Sequence, residues 1–532
     1  MSVRRTLLDG TEIALLDVRS EASFASDHPL FAASFPLAHL EAEVFGRLPR
    51  RSVPLVVYGD EDEDAEAAAA RLRRLGYTGV SILDGGLAGW TAAGGELFRD
   101  VNAPSKAFGE LVAATAGTPA IDPAELAAML RASGDADGDS NGDAVVVVDA
   151  RRFEEFRTMS IPTATSVPGA ELVLRTGALA PDPATLVVVN CAGRTRSIIG
   201  TQSLINAGLP NRVVALRNGT IGWTLAGLEL EHGQQHQAPA VSAETARQAK
   251  AAAWTVARKA GIREISAAEL RSLAADGRRT VYRFDVRSPQ EYASGHQAGF
   301  RSAPGGQLVQ ETDWYAPVRG ALVALADDDG GRAAMTASWL AQMNSDVVVV
   351  TPDPADPVVA EPWTPARSPA PEVPLASPAQ VAEWLRAGEA RVVDIGTSRR
   401  FLAGHVPGAA WALRADLASP ELIGRLGRPD RLVLASADGY LAAWAADDLA
   451  AAGAIGPAVT VLAGGTVGWA RSGRPLDSGQ GELLSPATDV YRRPYEGTDV
   501  DPAVMQAYLD WEHGLVAQLE RDGTHGFTVL TV

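Results

Sequence analysis

Apolar positions along the chain gather into short runs rich in valine, leucine and isoleucine. Each run closes on a polar residue, and Ala/Leu-rich stretches of helical character follow. Ala14-Leu15-Leu16-Asp17-Val18-Arg19, Val145-Val146-Val147-Val148-Asp149-Ala150-Arg151, Val281-Tyr282-Arg283-Phe284-Asp285-Val286-Arg287 and Arg391-Val392-Val393-Asp394-Ile395-Gly396 mark four such beginnings. A second run follows in each unit: Leu55–Tyr58, Val187–Asn190, Leu322–Leu325 and Leu432–Ala435. Helical stretches come next, over Ala65–Leu75, Ser197–Gly208, Ala333–Met343 and Leu441–Ala452. Units one, two and four then carry a third run and a turn ending in Gly-Trp, at Trp90, Trp223 and Trp469. Unit three has the run Val347–Val350 without that turn. Short apolar strands alternating with helices predict parallel sheets covered on both faces. In such sheets the chemistry sits at the carboxyl ends of the strands.

The expected architecture is therefore α/β: four tandem domains, each a small parallel sheet flanked by helices, plus a C-terminal helical tail. Their expected bounds are 1–100, 119–232, 262–351 and 375–477, with the tail at 478–532. Val101–Thr118 links units one and two, and Ala240–Ala260 reads as a helix joining units two and three. Ala132–Asp143 is a polar, acidic insertion expected to be a mobile surface loop. Thr351–Pro374 is Pro-rich and reads as an extended spacer. A tail helix is expected from Pro502 to Arg521.

A length of 532 residues fits about three to five domains. The net charge of -18 argues against a nucleic-acid or membrane-surface binder, and any anion site must be locally positive against it. One cysteine excludes an intrachain disulfide and a cysteine-based metal cluster. It fits a reducing cytosol. No signal peptide and no span of about 20 apolar residues is present, so a soluble, cytoplasmic protein is expected.

That cysteine, Cys191, directly follows the run Val187–Asn190 and opens the loop Ala192-Gly193-Arg194-Thr195-Arg196-Ser197. A lone cysteine is elsewhere a small buried hydrophobe. Here the strand end and the arginine-rich loop favour a nucleophile. Backbone N–H groups of residues 192–197 can curl into an anion-binding nest at the start of a helix. Gly193 permits the curl, and Arg194 and Arg196 offer forked donors to a sulfonate-like group. Such a setting lowers a thiol pKa to roughly 3.5–7.5.

At these residues the chain resembles the rhodanese family. The marks are the early Asp-x-Arg strand, the six-residue loop Cys191–Arg196, the Gly85-Gly86-Leu87-Ala88-Gly89-Trp90 turn with its counterparts Asn218–Trp223 and Gly464–Trp469, and Gly404-His405-Val406-Pro407-Gly408-Ala409. Gly295-His296-Gln297-Ala298-Gly299 is a weaker version, and unit two has Val167-Pro168-Gly169-Ala170 without the Gly-His pair. The resemblance covers nearly the whole chain as four tandem domains. It implies a sulfurtransferase moving sulfane sulfur from thiosulfate or a small persulfide to a thiol or cyanide through a Cys191 persulfide. Ala192, Gly193, Arg194, Thr195, Arg196 and Ser197 would bind the donor, and Asp149 and Arg151 would be structural support. No cofactor or metal is implied beyond the covalent persulfide. The implied partners are a small anionic sulfur donor and a thiol acceptor such as glutathione or a thioredoxin-like protein. A homodimer is a further expectation; nucleic acid and membrane are not. Two other readings remain: a non-catalytic sulfur sensor or scaffold, and a Cys-dependent phosphatase or arsenate reductase. Phosphatases of this fold usually carry a loop one residue longer.

In the other units Gly59, Asp327 and Ser436 stand opposite Cys191. Gly59 is followed by Asp60-Glu61-Asp62-Glu63-Asp64, which would repel an anionic donor. Asp327–Asp329 reads as a degenerate loop or a hard-metal site. Ser436 without a base is a poor nucleophile. One active and three inactive domains are expected. His232 and His236 give no convincing metal helix; His296 and His405 more naturally fix loops than act as bases. The tail with Trp511, Glu512 and His513 reads as a docked helix, with a lid as the alternative.

Overall fold

The computed structural model describes every residue except 1, 135–143, 329, 354, 428, 454–457 and 532. The polar insertion expected over Ala132–Asp143 lies, from residue 135 onward, outside the described residues. The apolar runs form four parallel sheets. In unit one the strand order is Ala32–Ser34, Ala14–Asp17, Leu55–Tyr58, Val80–Ile82. Unit two runs Ala120–Ile121, Val213–Leu216, Leu186–Asn190, Val145–Asp149, Thr165–Ser166. Unit three repeats that order with Arg263–Ser266, Asp346–Thr351, Leu322–Ala326, Val281–Asp285 and Arg301–Ser302. Unit four does so with Leu375–Ala376, Ala458–Leu462, Arg431–Ala435, Ala390–Asp394 and Ala410–Trp411, and Glu482–Leu483 from the tail adds a sixth strand. The central strands are valine-rich because helices cover both faces; Leu186–Asn190 is buried at all five positions.

The register aligns the four units residue by residue. Asp17 pairs with Tyr58, Asp149 with Asn190, Asp285 with Ala326 and Asp394 with Ala435. The next residues, Gly59, Cys191, Asp327 and Ser436, thus occupy equivalent strand ends. In units one to three the buried Asp grips the Arg two residues on. Asp149 accepts the Arg151 backbone N–H at 3.0 Å, Nε at 2.9 Å and Nη2 at 2.7 Å. Asp17–Arg19 and Asp285–Arg287 repeat the pattern. A buried carboxylate is tolerable when a guanidinium and backbone N–H groups satisfy it together.

His296 and His405 do fix loops, and His28 in unit one does the same. Each ring nitrogen Nδ1 meets a carbonyl, of Phe24, Tyr292 or Phe401, and each ring stacks on that same residue. The units pack in pairs through equivalent faces. Gly169 meets Gly306 and Arg332 reaches Glu171 at 2.8 Å between units two and three. Arg414 grips Glu41 at 2.8 Å and 3.1 Å between units four and one.

The linkers are helices Ala103–Ala116 and Ala243–Lys259. Within the Pro-rich spacer Val358–Val359 pairs antiparallel with His296–Gln297. The tail helix is split at Gly514 into Pro502–His513 and Leu515–Asp522. Among the described residues no helix is long and apolar enough to cross a membrane.

Phe108 in the first linker is fully buried and meets Trp339 of unit three and Phe527 of the tail edge-on. Phe108→Ala is expected to cost about 3–5 kcal/mol in urea unfolding. Hydrogen exchange should show the tail losing protection with it; an unchanged tail would contradict this coupling.

Candidate active site

The strand Leu186–Asn190 delivers Cys191 to the sheet edge, and the helix Thr195–Asn206 starts four residues later. Asn190 donates its side-chain N–H to Asp149 at 2.6 Å, tying the strand end to the Asp149–Arg151 pair. The Cys191 thiol donates to the Ser197 hydroxyl at 3.4 Å, and that hydroxyl donates to the Arg194 carbonyl at 2.8 Å. The loop carbonyls are held by the turn of the Gly-Trp motif. Thr220 N–H donates to the Cys191 carbonyl at 2.9 Å, and Ile221 N–H to that of Ala192 at 3.0 Å. Gly219 makes this approach possible. Its φ is +55°, and a Cβ there would lie 2.2 Å from the Cys191 carbonyl oxygen. The Gly-Trp turn therefore does more than pack: it clamps the cysteine loop.

Both loop arginines are occupied, which corrects their reading as free donor forks. Arg194 makes a bidentate pair with Glu110 at 2.6 Å and 2.8 Å and reaches Asn218 at 3.1 Å. Arg196 makes a bidentate pair with Glu155 at 2.8 Å and 2.9 Å, and Arg196 holds the Glu155 carboxyl far below its usual range. Unit three repeats the second pair as Arg332–Glu291 at 2.8 Å although it has no cysteine. The pair is thus a strut between the loop and the helix after the Asp-x-Arg strand.

The thiol is also not activated in the manner expected. Cys191 is only 2% exposed, and burial pushes its thiol up; the Arg196 charge and the hydroxyl and backbone N–H of Ser197 work against that rise. The reason is a roof that the loop's own residues do not announce. Thr195 packs under Gly109 of the first linker helix. Tyr508 and Glu512 of the tail helix press on Gly193: a Cβ at Gly193 would lie 3.2 Å from the Tyr508 ring and 3.4 Å from Glu512 Oε2. Met505, Tyr508 and Leu509 pack with Ile221 of the clamping turn. The tail is therefore a docked helix whose Tyr508 and Glu512 cover Gly193 of the loop.

Glu512 is fully buried. Its Oε1 accepts from the Tyr508 hydroxyl at 2.7 Å, and its Oε2 has no hydrogen-bond partner among the described residues. Burial raises its pKa to about 8, with Lys106 opposing and Glu110 adding to the rise. Lys106 is paired with Asp100 at 2.9 Å and lies over the rings of Tyr495, Tyr508 and Trp511. Beside Arg196 a cavity of about 230 Å³ opens, with Arg152, Arg399, Arg493 and Tyr495 in its wall. Glu154, Glu155, Glu311 and Glu496 share that wall, so the mouth carries charges of both signs.

The counterpart positions are occupied in different ways. Asp327 turns its carboxylate onto its own loop, accepting the Gly330 N–H at 2.7 Å and the Ala333 N–H at 2.8 Å. That use replaces the hard-metal reading. Ser436 accepts the Ala442 N–H at 3.2 Å. Gly59 has no side chain, and the neighbouring Asp60 turns to Arg19 at 3.4 Å. Glu110, Glu155 and Tyr508 escaped the sequence reading; Asn218 and Gly219 were read only as a turn and Glu512 only as part of the tail. Glu155 was recoverable, because Glu155 and Glu291 stand at one offset from Asp149 and Asp285, as Arg196 and Arg332 do.

A cysteine at a strand end, under a helix start and clamped by a Gly-Trp turn, defines a thiol-loop α/β protein. The profile of the rhodanese-like domain matches residues 4–93, 123–226 and 377–472. A crystal structure of thiosulfate sulfurtransferase from Pseudomonas aeruginosa is 52% identical, covering 99% of this chain and 98% of its own, with a TM-score of 0.95. A crystal structure of the Alr3790 protein from Anabaena sp. is 34% identical over 17% of this chain and 71% of its own, with a TM-score of 0.16. No curated protein matches the chain. The chain belongs to the rhodanese-like family.

Glu512 sets a pH dependence. Its proton is held to about pH 8 in the folded chain and lost near the ordinary 4.5 when unfolded, so stability falls as pH rises across that window and then levels. Thermal unfolding of wild type should lose stability across the window, and Glu512→Gln should lose less. Parallel profiles would contradict the assignment.

Proposed function

We propose that this chain is a sulfurtransferase that moves sulfane sulfur from an anionic donor, thiosulfate or a small persulfide, to a thiol or cyanide through Cys191. The observation that carries this reading is Cys191 itself. It is the chain's one cysteine, at the strand end where the other units have Gly59, Asp327 and Ser436, with Arg196 and Ser197 acting on its sulfur. The near full-length likeness to a thiosulfate sulfurtransferase supports it.

The Cys191 thiolate attacks the donor's sulfane sulfur. The donor's S–S bond breaks, and sulfite, for thiosulfate, leaves with the electron pair. The enzyme then holds Cys191–S–S⁻. An acceptor thiolate or cyanide attacks the outer sulfur, and Cys191 leaves as thiolate. On this reading the loop N–H groups of residues 192–197, facing the sulfur, stabilise the charge of the persulfide. Arg194 and Arg196 act as positioned charges held by Glu110 and Glu155. Residues 119–232 carry the chemistry; 1–100, 262–351 and 375–477 serve as its frame, and 478–532 as its cover. Thiol acceptors of the glutathione or thioredoxin-like kind, a cytoplasmic location and a homodimer complete the reading.

A second reading, a sulfur sensor, draws on the buried sulfur under the tail. Mass spectrometry after thiosulfate separates the two. Gain of one sulfur on Cys191, lost to added thiol with repeated turnover, is expected. Gain without turnover supports the sensor. Cys191→Ser should reduce transfer to background; transfer that survives it would overturn the assignment. Cys191-dependent hydrolysis of a generic phosphate ester would instead point to a phosphatase.

A further inference from the structure

Units one to three each place a guanidinium between two acceptors. The first is the strand-end carboxylate. The second is a carbonyl farther along, of Asp27, Met159 or Gly295, which accepts from Arg19, Arg151 or Arg287. Unit four keeps the frame and loses the guanidinium. Asp394 still accepts the backbone N–H two residues on, at 2.8 Å, but that residue is Gly396. Gly404 stands at the place of Met159 and Gly295, at the same separation from the Asp. Asp394 Oδ2 takes the Thr466 hydroxyl at 3.1 Å, and among the described residues no guanidinium is bonded to it. Burial pushes the Asp394 carboxyl up. Trp411 donates to the Gly396 carbonyl at 2.7 Å and fixes that peptide.

Where the missing side chain would lie there is a cavity of about 790 Å³, whose wall includes Asp394, Gly396, Gly404 and Ser436. This is within the roughly 300–1,000 Å³ range of small-molecule sites. A second exchange accompanies the first. Arg400 stands where Glu155 and Glu291 stand, and Leu441 where Arg196 and Arg332 stand. The strut that closes the loop in units two and three is therefore absent, and Arg400 and Arg471 line the cavity instead. The cavity wall brings the Asp394 carboxyl, which has no guanidinium partner among the described residues, and Gly404 together with Arg400 and Arg471. The third arginine of the wall, Arg367, is paired with Asp438, and Glu43 stands beside them.

We propose that unit four binds a small molecule carrying a guanidinium head and a carboxylate, the chemical class of free arginine. The head takes the place vacated at Gly396, between Asp394 and the Gly404 carbonyl. The carboxylate meets Arg400 and Arg471. The site is separate from Cys191 and does not depend on sulfur transfer.

Isothermal titration of the full chain with L-arginine tests this. Saturable binding is expected in wild type and in Cys191→Ser. Gly396→Arg, which restores the residue of units one to three, should abolish binding and raise the melting temperature. Agmatine, which lacks the carboxylate, should bind about tenfold more weakly, a difference of about 1.4 kcal/mol. Arg400→Gln/Arg471→Gln should bring L-arginine down to the level of agmatine. No binding to wild type, undiminished binding to Gly396→Arg, or agmatine binding as tightly as L-arginine overturns the proposal. If Gly396→Arg does not fold, Asp394→Asn replaces it, with loss of binding expected and retained binding overturning.

Discussion

A buried guanidinium held by a carboxylate at the end of a buried strand is the interaction on which this chain is built. Breaking such a pair leaves an uncompensated charge in the interior and costs about 3–5 kcal/mol, so the pair pins whatever backbone carries it. Asp149–Arg151 pins the chain after the Val145–Asp149 strand, and Asn190 ties the neighbouring strand to the same carboxylate. Arg196–Glu155 then pins the far end of the cysteine loop to the helix Phe153–Thr158, which Arg152 caps. The sulfur is positioned because both ends of its loop are anchored to charges that cannot leave.

The three units without cysteine show what the loop demands once the nucleophile is gone. Curled N–H groups favour a negative partner. In unit three Asp327 supplies a side-chain carboxyl that accepts two of the loop's N–H groups. In unit four Ser436 Oγ accepts the Ala442 N–H and Asp438 Oδ1 the Tyr440 N–H, while Arg400 stands at the acidic strut position and Gly396 at that of the Asp-x-Arg arginine.

Much of this was legible in the sequence. Alternation of valine-rich runs and alanine-rich stretches located the sheets, and the Asp ending each first strand gave the alignment that the register bears out. Cys191 stood out because one strand end differs from three. The electrostatic partners of the loop did not stand out. Glu110 is 84 positions from Arg194 and lies on a linker helix that nothing local marks as part of a site. Arginines beside a cysteine look free until the carboxylates opposite them are known, and the same blindness led to the expectation of a strongly lowered thiol pKa. The tail's amphipathic pattern announced docking but not the surface docked against, since the apolar partner Ile221 belongs to the clamping turn.

Tyr508 and Glu512 come from a segment that follows all four sheets in the chain. In synthesis the segment that covers the loop is therefore the last part of the site to be made, after Glu110, Glu155, Cys191 and Gly219.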